Sequence, residues 1–297
     1  MMYNNMEILI ADSGSTKTDW ALVSHNGTYR LVHTQGINPI HQSREEIEHI
    51  LRDELRPQLC FEQLAGVYFY GSGCTSVQRP LMCEILAIVF PEASVVEAYG
   101  DLLGAARAVC NDHEGIACIL GTGANSCLYD GSTIVRNIPP LGYILGDEGS
   151  GAVLGRHFLN AIFKGFLSES LRDEYLAWSS LTYADIIQKV YRQPMANRFL
   201  ASIAPFIAEH LDEVQLQQLV ADNFRNFFDR NLVQYSGTNR VGFVGSIAYH
   251  FSGILRSVAE EKGYEITVIE RSPILRLVSY HSRIVFGIDH LSISCHS

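Results

Sequence analysis

Two short turns rich in Gly, Ser and Thr each follow a β-rich run and have residue types that can bind phosphate. Small residues let the backbone approach a phosphate and present N–H groups to it, and a carboxylate at the strand end can hold a hydrated Mg²⁺. A polar hairpin corner uses the same residue types, so one such turn alone is a weak signal. Two in equivalent positions favour phosphate binding. Their sequences are Asp12-Ser13-Gly14-Ser15-Thr16-Lys17-Thr18-Asp19 and Gly121-Thr122-Gly123-Ala124-Asn125-Ser126.

Two carboxylates lie where helical segments begin, and both can act on a substrate hydroxyl. Asp101 follows a strand, and a carboxylate at the carboxyl end of a strand faces the ligand side of an open α/β sheet. Asp147 lies in the run GDEGSG before a helix and is a candidate to accept hydrogen bonds from substrate hydroxyls. Acidic side chains are also favoured as plain helix caps, so a structural role stays open for each.

A fifth motif, GFVGSIA at residues 242–248, turns from a strand into a helix through Gly245 and Ser246. Such a turn either lets the backbone approach the ribose of an adenosine or serves only as a tight βα connection. The pattern favours neither interpretation.

The hydrophobic pattern places these motifs in two similar units. Strand-like runs at 7–12, 19–23 and 29–34 precede an alternation of helices and strands, and the order βββαβαβα predicts a mixed sheet with helices on its faces. A second unit begins near Gly115 with three more strand-like runs, visible in pattern and not in residue identity. The region 150–235 is predicted to be mostly helical, with a break near Pro205. The remaining predicted elements are a strand at 241–245, a helix at 246–262 and a strand at 265–270.

The bulk composition narrows the class of protein. A chain of 297 residues exceeds the roughly 250 that one core supports, which predicts two domains. The net charge of −10 disfavours binding to nucleic acid or to an anionic membrane. Seven scattered cysteines without a C-x-x-C pair indicate reduced thiols, and the chain has neither a signal-peptide pattern nor a long apolar run. A cytoplasmic protein is therefore expected.

Several enzyme classes are excluded because their motifs are absent from the sequence. There is no G-x-x-x-x-G-K-[ST] phosphate loop, no H-E-x-x-H metal site, no G-x-S-x-G elbow and no set of protein-kinase signatures.

Taken together and in this order, the five motifs resemble those of the superfamily of sugar kinases, actin and the seventy-kilodalton heat-shock chaperones. GTGAN followed by LGYILGDEGSG is more similar to the N-acetylglucosamine kinase branch, within the BadF/BadG/BcrA/BcrD ATPase family. The resemblance spans about residues 7–282. It implies an α/β fold of two actin-like (ribonuclease H-like) domains, each a mixed five-stranded sheet flanked by helices, with an ATP cleft between them. The expected domains are residues 1–112 and 113–297.

The resemblance also implies a transferase reaction and its site. The expected activity is ATP- and Mg²⁺-dependent phosphorylation of the 6-hydroxyl of N-acetylglucosamine or a related amino sugar, with Asp101 as the base. The sugar would be bound by Asn38, Asn125 and Asp147, and Asp12 would organise Mg²⁺. Phosphates and nucleotide would contact Ser13, Gly14, Ser15, Thr16, Lys17, Gly121, Thr122, Gly123, Gly245 and Ser246.

The chain departs from the family pattern in its C-terminal part. Leu275-Arg276 follows Ser272-Pro273-Ile274 where a Gly-containing helix start is usual, and the tail from Ile284 to Ser297 resembles nothing familiar. The tail after about residue 282 is left unassigned. Residues 1–5 precede Met6, which suits a start, so they are expected to be dispensable.

Two other functions share this fold. An ATPase activator of a radical 2-hydroxyacyl-CoA dehydratase needs an iron–sulfur cluster on cysteine thiolates, for which Cys74 beside Gly73 is the remaining candidate. A nucleotide-dependent sugar-binding module, such as a repressor, would need a helix-turn-helix that the sequence lacks. Sequence does not rank the amino sugars, because one hydrogen bond or a methyl-sized pocket is worth only ~1–3 kcal/mol. A homodimer is the default expectation for assembly.

Overall fold

Residues 6–14 and 16–288 are described by the computed structural model, and they form two compact units. Unit 1 contains residues 6–112 and 272–288, and unit 2 contains residues 113–271. The chain therefore leaves unit 1 after Asp112 and returns to it at Ser272. Residues 272–288 were predicted to be in the second domain, and their placement in unit 1 corrects that boundary.

Unit 1 is built on a mixed sheet of five strands in the order β3-β2-β1-β4-β5. The first three strands are antiparallel neighbours, and β4 and β5 run parallel to β1. Both faces of β1 are buried, as expected for a central strand covered by helices on two sides. The strands are β1 (Met6–Ser13), β2 (Lys17–Ser24), β3 (Tyr29–Gln35), β4 (Gln63–Gly71) and β5 (Val95–Gly100).

The helices of this part of unit 1 follow the predicted positions. The spacing of Ile47, Ile50, Leu51 and Leu55 predicts a helix over 43–55. In the structure this segment begins at a Ser43 capping box as α1 (Arg44–His49) and continues as a π-helical turn (Ile50–Leu55) and a 3₁₀ turn (Arg56–Gln58). Two further helices are α2 (Arg79–Val89) and α3 (Asp101–Cys110).

Unit 2 repeats the sheet of unit 1. Its order, read from the opposite edge, is β8-β7-β6-β9-β10, with β6, β7 and β8 antiparallel and β9 and β10 parallel to β6. The predicted repeat and the mixed five-stranded sheets are therefore confirmed. The strands are β6 (Glu114–Leu120), β7 (Ala124–Asp130), β8 (Ile134–Asn137), β9 (Arg240–Val244) and β10 (Glu265–Glu270).

The helices of unit 2 surround a large core that includes Phe158, Phe206 and Phe224. Pro205 lies at the start of the helix Ala204–Glu209, where its missing N–H costs no helical hydrogen bond. The predicted helix over 246–262 is interrupted at Phe251 and forms two helices. The helices are α4 (Gly142–Leu145), α5 (Gly151–Phe163), α6 (Glu169–Ser179), α7 (Tyr183–Tyr191), α8 (Ala196–Ala201), α9 (Ala204–Glu209), α10 (Val214–Arg230), α11 (Ser246–His250) and α12 (Ser252–Glu261).

The C-terminal helix α13 (Ile274–Phe286) packs on the sheet of unit 1. Leu277 and Val278 are fully buried in one cluster with residues of β1. The Leu275-Arg276 departure does not prevent this helix, which ends at Gly287 with φ 70°. The unassigned tail therefore begins inside α13, and residues 289–297 lie outside the described part of the chain. Among the described residues, no helix is both long and apolar enough to cross a bilayer.

Candidate active-site elements

The first Gly-rich turn connects β1 to β2 in unit 1. The Gly14 N–H donates to the Lys17 carbonyl at 3.0 Å, which closes the turn. Gly14, Thr16 and Lys17 are exposed, as a phosphate-binding turn requires, and Ser15 lies outside the described residues.

The Ser13 side chain is buried, unlike the exposed residues of the same turn. Its side chain is fully buried, with its hydroxyl 2.7 Å from the Thr18 hydroxyl and donating to the Ile37 carbonyl at 3.0 Å. The Ile37 N–H in turn donates to the Ser13 hydroxyl oxygen at 2.9 Å. The Ser13 hydroxyl therefore anchors the turn to the segment after β3. The prediction that Ser13 contacts phosphate or nucleotide named no atom, and its side chain makes these structural contacts.

Asp12 and Asp19 are direct partners across the β1–β2 ladder. The Ser272 hydroxyl lies 3.4 Å from Asp12 Oδ2 and 3.5 Å from Asp19 Oδ2, so two carboxylates approach one hydroxyl. Lys17 Nζ lies 2.9 Å from both oxygens of Asp19, and His33 Nδ1 lies 2.6 Å from Asp19 Oδ1. The predicted phosphate ligand Lys17 is thus paired with Asp19.

The charge around Asp12 suits a hydrated cation. Burial, reinforced by the nearby charges of Asp19 and Asp101, raises the pKa of Asp12 to about 7. A divalent cation would stabilise the ionised carboxylate and relieve this repulsion. Mg²⁺ commonly binds proteins through one or two carboxylates while it keeps several waters, so Asp12 fits such a role.

Asp101 is the first residue of α3, directly after β5. The Ser72 hydroxyl donates to Oδ2 at 2.7 Å, and the Leu102 N–H donates to Oδ1 at 2.9 Å. Burial raises the pKa of Asp101, and these two hydrogen bonds oppose that rise. The carboxylate is therefore held in a fixed orientation with its proton affinity increased by desolvation, which is the condition a general base needs.

Asn38 lies next to the turn that carries Ser72. A Cβ added to Gly73, which has φ 79°, would overlap Asn38 Oδ1. The Asn38 side chain is further fixed because its Oδ1 accepts the Ile40 N–H at 3.0 Å. In unit 1 the predicted sugar ligand Asn38 therefore lies against Gly73. The residue before Gly73 is Ser72, whose hydroxyl donates to the predicted base Asp101.

The second Gly-rich turn connects β6 to β7 in unit 2. The Gly121 N–H donates to the Gly123 carbonyl at 2.9 Å. The carbonyls of Gly121 and Thr122 accept the N–H groups of Gly151 and Ala152, at 2.8 and 3.1 Å. The turn is thereby fixed to the start of α5, and the GTGAN and GDEGSG motifs lie together.

Asp147 lies over this turn. A Cβ on Gly123 would be 3.1 Å from Asp147 Oδ2, so glycine gives the carboxylate room. Asp147 has φ 53°, a left-handed conformation that Asp adopts more readily than most residues, and its N–H donates to the Pro140 carbonyl at 2.8 Å. Burial raises its pKa to about 6, against the lowering effect of the Ala124 N–H.

Asn125 on β7 is oriented by Asn137 on β8. Its Oδ1 accepts Asn137 Nδ2 at 2.8 Å and the Ser126 N–H at 2.9 Å. Both acceptor directions of the oxygen are then used, and the amide NH₂ is the part of the side chain that a sugar oxygen can meet.

Gly245 directly follows β9 and has φ 119°, and a Cβ there would overlap the Leu120 carbonyl. The predicted adenosine motif therefore packs against the residue preceding Gly121. Ser246 is exposed at the start of α11.

Three residues of these sites were not predicted, namely Ser72, Ser272 and Asn223. The acceptor role of Asp19 was not predicted either. Asn223 on α10 is fully buried, accepts the Gly149 N–H at 3.2 Å and donates to the Ser150 carbonyl at 3.3 Å. It holds the backbone that follows Asp147. A polar residue on the apolar face of the amphipathic helix was the sequence signal that could have identified it.

Cys74 does not suit a cluster ligand. Its side chain is 4% exposed and burial raises the pKa of the thiol to about 12. An iron–sulfur cluster needs thiolates, which such an environment disfavours.

Comparison with known proteins identifies close structural relatives. A candidate N-acetylglucosamine kinase from Porphyromonas gingivalis is 47% identical, with a TM-score of 0.88 over 93% of this chain and 99% of that one. A candidate N-acetylglucosamine kinase from Chromobacterium violaceum has a TM-score of 0.66 at 15% identity, over 92% of this chain and 98% of that one. A glucokinase from Streptomyces griseus, crystallised with glucose and AMPPNP, has a TM-score of 0.53 at 12% identity over 92% and 97% of the two chains. The last two matches support the fold alone. No family model and no curated protein matches.

Proposed function

Since the chain belongs to the N-acetylglucosamine kinase family, we propose that it is an ATP- and Mg²⁺-dependent kinase that phosphorylates the 6-hydroxyl of N-acetylglucosamine or a closely related amino sugar. The observation that carries the proposal is the Asp101 carboxylate, which two hydrogen bonds hold at the start of α3. The proposal is supported by the 47% identity between this chain and a candidate N-acetylglucosamine kinase, over 93% of this chain.

Phosphoryl transfer requires in-line positioning and stabilisation of charge more than covalent chemistry from the protein. Asp101 accepts the proton of the sugar hydroxyl as that oxygen attacks the γ-phosphorus of ATP, a contribution of about 10²- to 10⁴-fold in rate. The bond from the γ-phosphorus to the β,γ-bridging oxygen breaks, and ADP leaves. Asn38 helps to orient the sugar for this attack.

The proposed roles in unit 2 are recognition of sugar and nucleotide. Asp147 accepts hydrogen bonds from sugar hydroxyls, and the Asn125 amide donates to a sugar oxygen. The Gly121 N–H closes the second turn, and the N–H groups of Thr122 and Gly123 donate to phosphates, since glycine allows close approach. Gly245 and Ser246 contact the adenosine.

The proposed roles at the first turn are phosphate and cation binding. Gly14 and Thr16 are exposed at the β1–β2 turn. The Thr16 N–H donates to phosphate oxygens, and glycine at position 14 lets the phosphate approach the backbone. Asp12 would hold Mg²⁺, which would supply positive charge to stabilise the phosphate oxygens.

The test is an ADP-release assay with Mg·ATP and a panel of sugars: N-acetylglucosamine, glucosamine, N-acetylmannosamine and N-acetylmuramate. We expect at least one amino sugar to stimulate ADP release well above the rate without sugar. Slow ATP hydrolysis that no sugar stimulates would contradict the kinase function and favour a nucleotide-dependent binding module.

A further inference from the structure

We infer that Ser72 is a positioning residue for Asp101, and that its hydroxyl holds the carboxylate in the orientation that accepts the proton of the sugar hydroxyl. The inference rests on the proposed function and adds a residue that the sequence motifs do not include. Ser72 Oγ donates to Asp101 Oδ2 at 2.7 Å, a short distance typical of a hydrogen bond to an ionised acceptor.

Ser72 can orient the carboxylate because its own backbone is fixed. It follows β4 directly, and its N–H donates at 2.9 Å to the carbonyl of Ser13, the residue before Gly14 in the first Gly-rich turn. The turn after β4 continues with the Cys74 N–H donating to the Gly71 carbonyl at 3.1 Å. The hydroxyl therefore projects from a rigid backbone.

Ser72 also occupies a junction between three predicted functional elements of unit 1. Its backbone N–H is hydrogen-bonded to Ser13, and its hydroxyl is hydrogen-bonded to Asp101. Its neighbour Gly73 packs against Asn38. A shift of this residue would move the phosphate turn, the base and the sugar ligand relative to one another. Such a position is expected for a residue that sets catalytic geometry.

The two hydrogen bonds on Asp101 have different origins. The Leu102 N–H belongs to the same helix as Asp101 and moves with it, whereas Ser72 belongs to another element. Ser72 is thus the contact that ties the carboxylate to the sheet. Without it, the carboxylate can rotate about χ1 and χ2, and a smaller fraction of the bound complexes has the reactive geometry.

The test compares Ser72→Ala and Ser72→Thr with wild type in steady-state kinetics with Mg·ATP and the best amino sugar. We expect Ser72→Ala to lower kcat by roughly 10- to 100-fold, the rate equivalent of one hydrogen bond to a charged group. The KM values for sugar and ATP should stay within about twofold, because Ser72 is not proposed to bind either substrate. Ser72→Thr keeps the hydroxyl and should restore most of the lost turnover.

The matched control is Ser279→Ala, which removes an exposed serine hydroxyl on α13 that donates to the Leu275 carbonyl. Its kinetics should equal those of wild type. Thermal unfolding of each variant separates loss of fold from loss of turnover.

An unchanged kcat in Ser72→Ala would overturn the inference, and so would a loss of kcat that Ser72→Thr does not restore. In either case, a wild-type enzyme that is active with an amino sugar still supports the kinase function. A fall in kcat accompanied by an equal rise in the sugar KM would also overturn it, because that result indicates a disrupted site. Wild type that no amino sugar stimulates overturns the proposed function and the inference together.

Discussion

The side-chain oxygen of Asn38 lies so close to the Cα of Gly73 that no Cβ fits between them. Gly73 also has φ 79°, a conformation that glycine adopts without strain. The contact places a predicted sugar ligand beside the turn that contacts the predicted base. Glycine is therefore required at position 73 for two reasons: its positive φ and its lack of a Cβ that would overlap Asn38.

Gly73→Ala should raise the sugar KM by roughly tenfold, because the new methyl group displaces the Asn38 amide. Steady-state kinetics at fixed Mg·ATP measure this effect. The control is Gly165→Ala, at φ 73° with nothing within 4 Å of the new Cβ. It carries the backbone strain without the overlap, so it should lower the melting temperature and leave the sugar KM unchanged. Equal sugar KM values in wild type and Gly73→Ala would exclude Asn38 as a sugar ligand.

Local patterns predicted the elements that carry the sites. The start of α3 at Asp101 and the strand at 265–270 were predicted at the positions observed, because strand-to-helix changes in periodicity and turn residues are encoded locally. The repeat of a mixed sheet that opens with three strands was also predictable from two equivalent runs of strands, whereas the order of the strands in each sheet was not predicted. The interruption at Phe251 was not predicted, since the nearest glycine, Gly253, lies inside the second helix and no proline is near.

Asp147 should make sugar binding depend on pH. Burial raises the pKa of this carboxyl to about 6, so the ionised acceptor is lost as pH falls through that value. We expect calorimetric titration of sugar into nucleotide-free protein to give a Kd that rises several-fold between about pH 8 and about pH 5. Nucleotide-free conditions separate this effect from titration of the base during turnover.

Asp147→Asn tests the same assignment. Asn also tolerates the left-handed backbone at φ 53°, so the loop should keep its conformation. The variant should bind sugar more weakly at all pH values, with little pH dependence. Asp185→Asn is the control, because that partly exposed carboxyl has a pKa lowered by hydrogen bonds with Thr182 and should leave the pH profile of wild type intact. A wild-type Kd independent of pH would contradict the role of Asp147.

Asp12→Asn should stabilise the protein at high pH in the absence of Mg²⁺. Burial raises the pKa of Asp12 from 3.8 to about 7, so the folded state binds the proton more tightly than the unfolded state between these values. Stability from this group is therefore lost as pH rises through that window, and the ionised form is a liability above it. Asn removes the charge.

Urea unfolding should show the free energy of unfolding of Asp12→Asn exceeding that of wild type by about 1–2 kcal/mol near pH 8, with the difference vanishing near pH 4. The variant should also require more Mg²⁺ for half-maximal turnover. Destabilisation of Asp12→Asn near pH 8 would show that the carboxylate is favourable in the folded state, contrary to this account.

Contacts between residues that are far apart along the chain could not be predicted from the sequence. Ser272 approaches Asp12 from 260 residues away, and α13 returns to unit 1 because its buried Leu277 and Val278 pack with residues of β1. Ser13 was predicted to bind phosphate because its residue type suits a turn. Its burial depends on Ile37 and Thr18, whose positions only the folded sheet defines.

The most direct test of the account is the product and rate of the Asp101→Asn enzyme with Mg·ATP and N-acetylglucosamine. For wild type, ³¹P and ¹³C NMR should identify a monoester at the 6-position of the sugar. Asp101→Asn should keep its melting temperature and calorimetric sugar affinity while kcat falls by about 10²- to 10⁴-fold, since the amide cannot accept the hydroxyl proton. Turnover of Asp101→Asn equal to that of wild type would contradict Asp101 as the base.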